Sequence, residues 1–133
     1  MHLTKYGLAA IGVFLATRPL PAHHSFTAEY DFTKPITLQG TVVKWELINP
    51  HGWITVDAKD ANGNVVRWAI ETGNPNALLR AGWRKDSLKP GDQVTVQGYL
   101  AKDGSSTANG VQVTLADGRK VLAASSAPDS SAR

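Results

Sequence analysis

Three histidines of this chain have the type and spacing to bind a metal ion. His23 and His24 directly follow Ala22. His51 lies in the turn-like segment 49–52. If a signal peptidase cuts after Ala22, the α-amine and the imidazole of His23 can chelate one ion together, and imidazole donors favour copper, nickel or zinc over hard cations. The sequence therefore predicts a metal site of His23, His24 and His51, with copper as the candidate ion.

The spacing of these histidines leaves other interpretations open. An N-terminal histidine with one further imidazole resembles the histidine brace of copper monooxygenases, here made of His23 and His51, with His24 as a substitute or an extra ligand. No fixed motif such as HExxH accompanies them. The alternative is that His23 and His24 belong to a solvated chain start and that His51 caps a turn.

Two tryptophans are candidates for binding a ligand by stacking. Trp53 falls on the polar face of an alternating strand beside His51, and a bend in the preceding strand would bring Trp45 to the same side. Such a pair can stack on a sugar ring, a base or a proline-rich peptide. The alternative is that both indoles only cover one end of the fold. Of the other tryptophans, Trp68 is expected in the core, and Trp83 is expected to pack beneath the end of the predicted helix.

Two glutamates are candidates for hydrogen bonding or proton transfer near His51. Glu46 and Glu71 lie at the ends of predicted strands and could approach the His51 loop. Paired carboxylates at a suitable separation can perform general acid–base hydrolysis. Alternation along the third strand nevertheless predicts that Arg67 and Glu71 face outward, where charged residues are usually only solvated. No nucleophile with a neighbouring base is evident, so catalysis is not the favoured function.

The first 22 residues have the three zones of a secretory signal peptide. Lys5 supplies a positive start, residues 7–17 are almost wholly apolar, and residues 18–22 contain a charge and two prolines. The apolar run is about half of the ~20 residues that span a bilayer. We expect cleavage after Ala22 and a periplasmic or secreted protein that meets the membrane only through this leader. The alternative is a retained N-terminal anchor.

Export changes what the composition implies about partners. The formal net charge of +3 falls to +1 once Lys5 and Arg18 leave with the leader, and no run of basic residues remains. Nucleic-acid binding through a basic patch is therefore not expected. The chain has no cysteine, which excludes disulfides, thiol catalysis and cysteine metal sites. The residues after the leader are enough for one hydrophobic core, and we expect a monomer.

Alternating apolar residues predict an all-β fold with one short helix. Strands are expected over residues 36–48, 53–60, 65–72, 93–100 and 110–115, with a return strand at 120–123. Asn74, Pro75 and Gly82 mark the start and the stop of a helix between the third and fourth strands. This order of elements is that of the OB-fold, a small five-stranded barrel. The predicted parts are a signal peptide at 1–22, an N-terminal arm at 23–35, an OB-like barrel at 36–123 and a disordered tail at 124–133.

Several motifs together resemble one protein family. They are AHHSF (22–26) with YD (30–31), NPHGW (49–53), GNPNALLRAGW (73–83), SLKPGD (87–92) and TLADGRK (114–120). They are similar to the small secreted bacterial proteins of the family known as domain of unknown function 6152, over essentially the whole chain. The resemblance implies export and a compact β-fold, and it says nothing about catalysis. The layout is also similar to that of exported bacterial OB-fold proteins.

Three functions from different classes fit these residues. The first is an exported OB-like binding module whose ligand face surrounds His51 and Trp53, for a small molecule, a peptide or a glycan. The second is a protein that binds or delivers copper through His23, His24 and His51. The third is a small metal-dependent enzyme at the same site. The binding module is favoured because OB-folds commonly serve in recognition.

Overall fold

Residues 26–123 fold into one sheet of six strands with two short helices. A computed structural model describes residues 26–123 of the protein. In chain order its elements are α1 (Phe26–Glu29), β1 (Tyr30–Glu46), β2 (Trp53–Lys59), β3 (Val65–Glu71), α2 (Pro75–Arg80), β4 (Gln93–Ala101), β5 (Thr107–Leu115) and β6 (Lys120–Leu122). The described residues are therefore mostly β. The helix predicted between the third and fourth strands is confirmed as α2.

The sheet curls round until its third and fifth strands meet. Its strands are hydrogen-bonded in the order β3-β2-β1-β4-β5-β6, and each of these neighbouring pairs is antiparallel. An additional parallel pairing joins residues 69–71 of β3 to residues 107–109 of β5. This pairing brings the end of β3 next to the start of β5.

One face of the curled sheet is apolar and encloses the core. Ile54, Val56 and Ala58 alternate along β2 and are buried, as predicted. The other members of this buried cluster are Leu38, Val42, Ile70, Leu78, Trp83, Leu88, Val94, Val96, Ala108 and Val113. Full burial of a side chain such as Ile54 stabilises the folded state by about 1.5–3 kcal/mol relative to an exposed side chain. The core therefore fixes the strands whose ends carry the candidate site.

Helix α2 and the turn after it add large side chains to this core. The Asn74 side chain caps the helix by accepting a hydrogen bond from the Ala77 backbone N–H at 2.9 Å. Leu78 and Trp83 are almost completely buried. The predicted cap at Asn74 is confirmed, and Trp83, which was expected to pack beneath the end of the helix, is buried.

Strand β1 contains a bulge that decides which way Trp45 points. The pairing of β1 with β2 shifts register between Val42 and Lys44, which agrees with the bent first strand predicted from the sequence. Beyond the bulge, Trp45 lies on the core side, with its ring centroid 4.8 Å from that of Trp83. Trp45 therefore does not share a face with Trp53, contrary to the prediction.

An aromatic cluster fixes the start of the described chain on the sheet. Phe26 packs against Tyr30, Phe32 and Tyr99, with ring centroids 5.6, 4.7 and 5.7 Å apart. Such aromatic pairs add about 0.5–1.5 kcal/mol each beyond their buried area. β1 thus begins at Tyr30. Residues 26–35, predicted as part of an N-terminal arm, belong to the folded unit because this cluster anchors them.

Some predictions concern residues beyond the described range. The signal peptide at 1–22, the candidate ligands His23 and His24, and the tail at 124–133 lie outside residues 26–123. Each of them stays a prediction. Within residues 26–123, no helix is long and apolar enough to cross a membrane.

Candidate functional site

A buried glutamate joins His51 to the first strand. Glu71 is the last residue of β3 and is only 5% exposed. Its Oε1 pairs with His51 Nδ1, and its Oε2 accepts a hydrogen bond from the Tyr30 hydroxyl. Both carboxylate oxygens therefore have partners, as a buried carboxylate requires. We call Tyr30, Glu71 and His51 the His51 group.

The burial of Glu71 corrects the prediction from strand alternation. Arg67 is exposed on the outward face of β3, as predicted, whereas Glu71 is buried on what alternation makes the same face. The end of β3 has a strand on each side, because residue 71 pairs with Trp53 of β2 and with Asn109 of β5. Tyr30 reaches the same carboxylate from the start of β1. These neighbours turn an outward strand position into the wall of a cleft.

The loop between β1 and β2 is held against the end of β3 at Gly52. The Gly52 N–H donates to the Gly73 carbonyl at 2.9 Å. The Gly52 carbonyl accepts from the backbone N–H and the hydroxyl of Thr72, at 2.9 and 2.8 Å. A Cβ on Gly52 would lie only 2.6 Å from Thr72 Oγ1, so this close approach needs glycine. The loop thereby fixes the position of the adjacent His51.

The His51 group lies in a cleft between two loops. The cleft has a volume of about 720 Å³. His51 and Trp53 line it from the β1–β2 loop and the start of β2, and Lys102 lines it from the β4–β5 loop. Glu29 of α1 also contributes to the lining. The size lies within the range of roughly 300–1,000 Å³ that is usual for small-molecule sites.

A second, larger depression of about 1020 Å³ lacks this chemistry. It borders Val65, the first residue of β3, and so lies at the other end of that strand from Glu71. Its lining contains no aromatic ring and no histidine. Its carboxylate, Asp57, is already held by two Arg67 nitrogens at 2.8 Å. The cleft at His51 is therefore the candidate site.

The structure brings three of the predicted ligand-binding residues together. His51, Trp53 and Glu71 all line the cleft. Trp53 is directly opposite Glu71 in the register of β2 and β3, so both side chains project from the same face of the sheet. Trp53 is half-buried, which leaves part of its indole open to a ligand.

The other two predicted residues do not line this cleft. The indole N–H of Trp45 donates to the Arg84 carbonyl at 3.0 Å, on the side of the core. Glu46 forms an ion pair with Lys44 at 2.6 Å. Although Glu46 lies opposite Trp53 in the register of β1 and β2, its carboxylate has another partner.

Sequence reasoning missed two residues of the site. Tyr30 lies in the predicted arm, yet it reaches Glu71, 41 positions further along the chain. Lys102 lies in a polar loop, and its Nζ donates to the Thr27 carbonyl at 2.5 Å. No local pattern joins residues so distant in sequence. The only signal at Tyr30 is its place in the YD pair of the family motifs.

The His51 group leaves one ring nitrogen for chemistry in the cleft. Because Glu71 holds Nδ1 of His51, Nε2 is the nitrogen that remains for a ligand, a metal ion or a proton. Among residues 26–123, no three His, Cys, Asp or Glu side chains are grouped so that they could hold a metal ion. The described residues alone therefore offer stacking and hydrogen bonding. A metal ion would need further donors.

Tyr30 gives the site a measurable pH dependence. Burial, together with its hydrogen bond to Glu71, raises the pKa of Tyr30 well above its usual range. An unfolded chain ionises tyrosine near pH ~10, whereas folded Tyr30 keeps its proton, so the free energy of unfolding falls as the pH rises. At neutral pH, we expect the free energy of unfolding of wild type to exceed that of Tyr30→Phe by about 1 kcal/mol. Above a pH of about 10, this difference should shrink by up to about 1.4 kcal/mol per pH unit.

Urea unfolding of both proteins at a series of pH values measures this difference. Comparing wild type with Tyr30→Phe cancels the titration of lysines that both proteins share. A difference in unfolding free energy that stays constant from neutral to alkaline pH would contradict the bond between Tyr30 and Glu71.

Comparison with known proteins identifies the family of this chain. No curated protein and no solved structure matches it. Residues 12–112 match a protein family described as a family of unknown function, DUF6152. The matched range covers well over half of the 133 residues and contains the whole His51 group. The resemblance seen in the sequence motifs is thus confirmed, and the chain belongs to the family of unknown function DUF6152.

Proposed function

We propose that this protein is an exported binding module that holds a small ligand in the cleft at His51. Export is supported by the leader pattern of residues 1–22. An OB-like barrel of five strands, with β6 as an addition, is supported by three features. These are the pairing of β1 with both β2 and β4, the parallel contact of β3 with β5, and the helix between β3 and β4.

The position of the cleft agrees with this fold. In OB-folds, the loop between the first two strands and the loop between the fourth and fifth strands lie at the ligand-binding face. His51 of the β1–β2 loop and Lys102 of the β4–β5 loop both line the cleft. The proposed ligand would therefore bind where proteins of this architecture usually bind theirs.

The observation that carries the proposal is the burial of Glu71 behind His51. A buried carboxylate costs several kcal/mol unless it is well paired, and apolar residues of similar size often stabilise a fold equally well. Stability alone therefore gives no reason to place Glu71 at this position. Its effect is to fix an imidazole at the surface of a cleft, and buried ionisable groups with specific partners are frequent at functional sites.

The lining of the cleft indicates the shape and polarity of the ligand. The exposed part of the Trp53 indole offers a flat apolar surface for stacking. His51 Nε2 offers one hydrogen-bonding group, and Lys102 offers a positive charge from the facing loop. A small molecule, a peptide or a glycan with one flat face and one polar group fits this lining. We expect the protein to bind it as a monomer.

The proposal is tested by titrating three probes, one for each class of ligand. They are 1-anilinonaphthalene-8-sulfonate, a chitin oligosaccharide and a proline-rich peptide, each followed by NMR on the mature protein. We expect at least one probe to shift the signals of His51, Trp53 and Lys102. Its affinity should fall by about tenfold or more in Trp53→Ala, since stacking on an indole is worth about 1–3 kcal/mol.

Two further measurements make this test decisive. Val65→Ala is the matched control, because Val65 is a 65% exposed apolar residue in the other depression. The Val65→Ala variant should bind the probe with the same affinity as wild type. Probe-induced shifts confined to the region of Val65, or binding unchanged in Trp53→Ala, would count against the cleft. If Trp53→Ala instead lowers the free energy of unfolding by about 3 kcal/mol or more, Trp53 is a core residue and not a ligand contact.

A further inference from the structure

His51 and Glu71 form the pair of groups that a histidine general base requires. In hydrolases with such a base, one ring nitrogen takes the proton, and a buried carboxylate on the other nitrogen fixes the tautomer and the orientation of the ring. Glu71 is buried and holds Nδ1 of His51, and Tyr30 holds the second oxygen of the same carboxylate. The His51 side chain is 34% exposed and lines the cleft. Its Nε2 is therefore the nitrogen that can accept a proton from a molecule in the cleft.

The hydroxyl groups at the cleft indicate which molecule would lose that proton. Of the described residues that line the cleft, only Tyr30 and Thr107 carry a hydroxyl group. The Tyr30 hydroxyl already donates to Glu71. Thr107 lies opposite Ala69 in the register of β3 and β5, two positions along the strand from Glu71. A hydroxyl nucleophile needs a base in hydrogen-bond contact, so a water molecule fits this cleft better as the nucleophile than either side chain.

The charges and the indole of the cleft favour a neutral aryl ester as the substrate. The described lining contains the three carboxylates of Glu29, Glu71 and Asp103 against the one ammonium group of Lys102. This excess of negative charge disfavours a phosphate ester, whereas an uncharged carboxylic ester is not repelled. The exposed part of the Trp53 indole offers a flat surface on which an aryl group can stack.

We propose that the cleft hydrolyses neutral aryl esters with His51 as the general base. Glu71 and Tyr30 act as positioning residues, because they touch the substrate only through the imidazole. The inference rests on the proposed function, because the ester is a ligand of the same cleft.

The reaction needs only water and the ester. His51 Nε2 removes a proton from water while the water oxygen bonds to the carbonyl carbon, and the π electrons of the carbonyl move to its oxygen. The ammonium group of Lys102 stabilises the negative charge on that oxygen. When the carbonyl forms again, the bond from its carbon to the aryl oxygen breaks, and the His51 imidazolium returns the proton to the aryl oxygen. The products are a carboxylic acid and a phenol.

The test is the hydrolysis of 4-methylumbelliferyl acetate by the mature protein, followed by the fluorescence of the released phenol. This ester is neutral and contains a flat ring. Wild type should hydrolyse it faster than an equal concentration of free imidazole does. A general base typically contributes 10²–10⁴-fold, so His51→Ala should lower kcat by about 100-fold or more and change KM little.

Two glutamate variants separate the positioning of His51 from the stability of the fold. Glu71→Gln keeps the size of the side chain but removes the charge that orients the imidazole, so its kcat should fall by about tenfold or more while KM stays close to that of wild type. Dividing kcat by the folded fraction, which urea unfolding gives, removes any effect of stability. Glu46→Gln is the matched control, because Glu46 does not line the cleft, and it should keep both constants.

Three results would overturn the hydrolytic activity. They are hydrolysis no faster than by free imidazole, a kcat unchanged in His51→Ala, and an acetyl group on His51 or Thr107 in peptide mass spectra during turnover. The last result would show that a side chain, and not water, attacks the ester. The three-probe titration distinguishes these failures from that of the binding module. Probe binding that depends on Trp53, without hydrolysis that depends on His51, rejects the activity and supports the module.

Discussion

Replacing Glu71 by alanine should lower the free energy of unfolding by about 3 kcal/mol. The substitution removes the acceptor from the Tyr30 hydroxyl, which is left in a buried position where an unpaired polar group costs about 1–3 kcal/mol. It also removes the carboxylate partner of His51, whose side chain is 34% exposed and can turn towards water. The variant should therefore be less stable and should also lose the fixed orientation of the imidazole.

Urea unfolding of the variant measures this cost, and Glu46→Ala is its matched control. Glu46 has the same side chain, lies on β1 at two strands' distance from β3, and pairs with Lys44, which is 62% exposed. Exposed ion pairs contribute only about 0–1 kcal/mol, so the control should remain close to wild type. If both variants lose the same stability, Glu71 is one more surface charge and the His51 group does not exist as described.

Replacing Trp83 by alanine should lower the free energy of unfolding by about 4 kcal/mol, more than any other substitution proposed for this protein. Its side chain is 1% exposed and packs against Trp45 with a centroid distance of 4.8 Å. Truncation leaves a cavity between the bulged end of β1 and the turn after α2. It also removes the aromatic partner of Trp45, which adds about 0.5–1.5 kcal/mol to the loss of buried area.

Trp53→Ala is the control for Trp83→Ala, because it truncates a tryptophan that lies at the cleft and not in the core. Trp53 is half-buried at the cleft, and its loss should cost about 1.5 kcal/mol or less. Thermal or urea unfolding of the two variants should therefore differ by more than about 2 kcal/mol. Equal losses would show that the structure does not divide the tryptophans into a core residue and a cleft residue.

Local patterns were sufficient to predict most of each strand and the helix α2, but not α1 or the first residues of β1 and β5. Alternation over short distances places Ile54, Val56 and Ala58 on one face whatever lies across the sheet. The cap at Asn74 is formed by a side chain and a backbone N–H only three residues apart. Such features depend on neighbours in the chain, which a sequence displays directly.

The candidate site could be predicted only in part, because it is made by long-range contacts. His51 and Trp53 are neighbours in sequence, and their common position was predicted. Glu71 has a charged side chain at a strand position that alternation makes outward. It is buried because β5 pairs with the end of β3 and because Tyr30 contacts its carboxylate. The prediction for Trp45 was wrong because a bulge changes the face of every residue that follows it. The sequence does not show where in β1 the bulge lies, and its position between Val42 and Lys44 puts Trp45 on the core side.

The central claim is that Glu71 holds His51 by Nδ1 and leaves Nε2 for the ligand. The most direct measurement is a long-range proton–nitrogen correlation spectrum of the histidine rings in metal-free protein at a mildly alkaline pH. We predict that the His51 ring carries its proton on Nδ1 and that Nε2 is unprotonated. A ring with its proton on Nε2 would contradict the account, because Nδ1 could not then donate to Glu71.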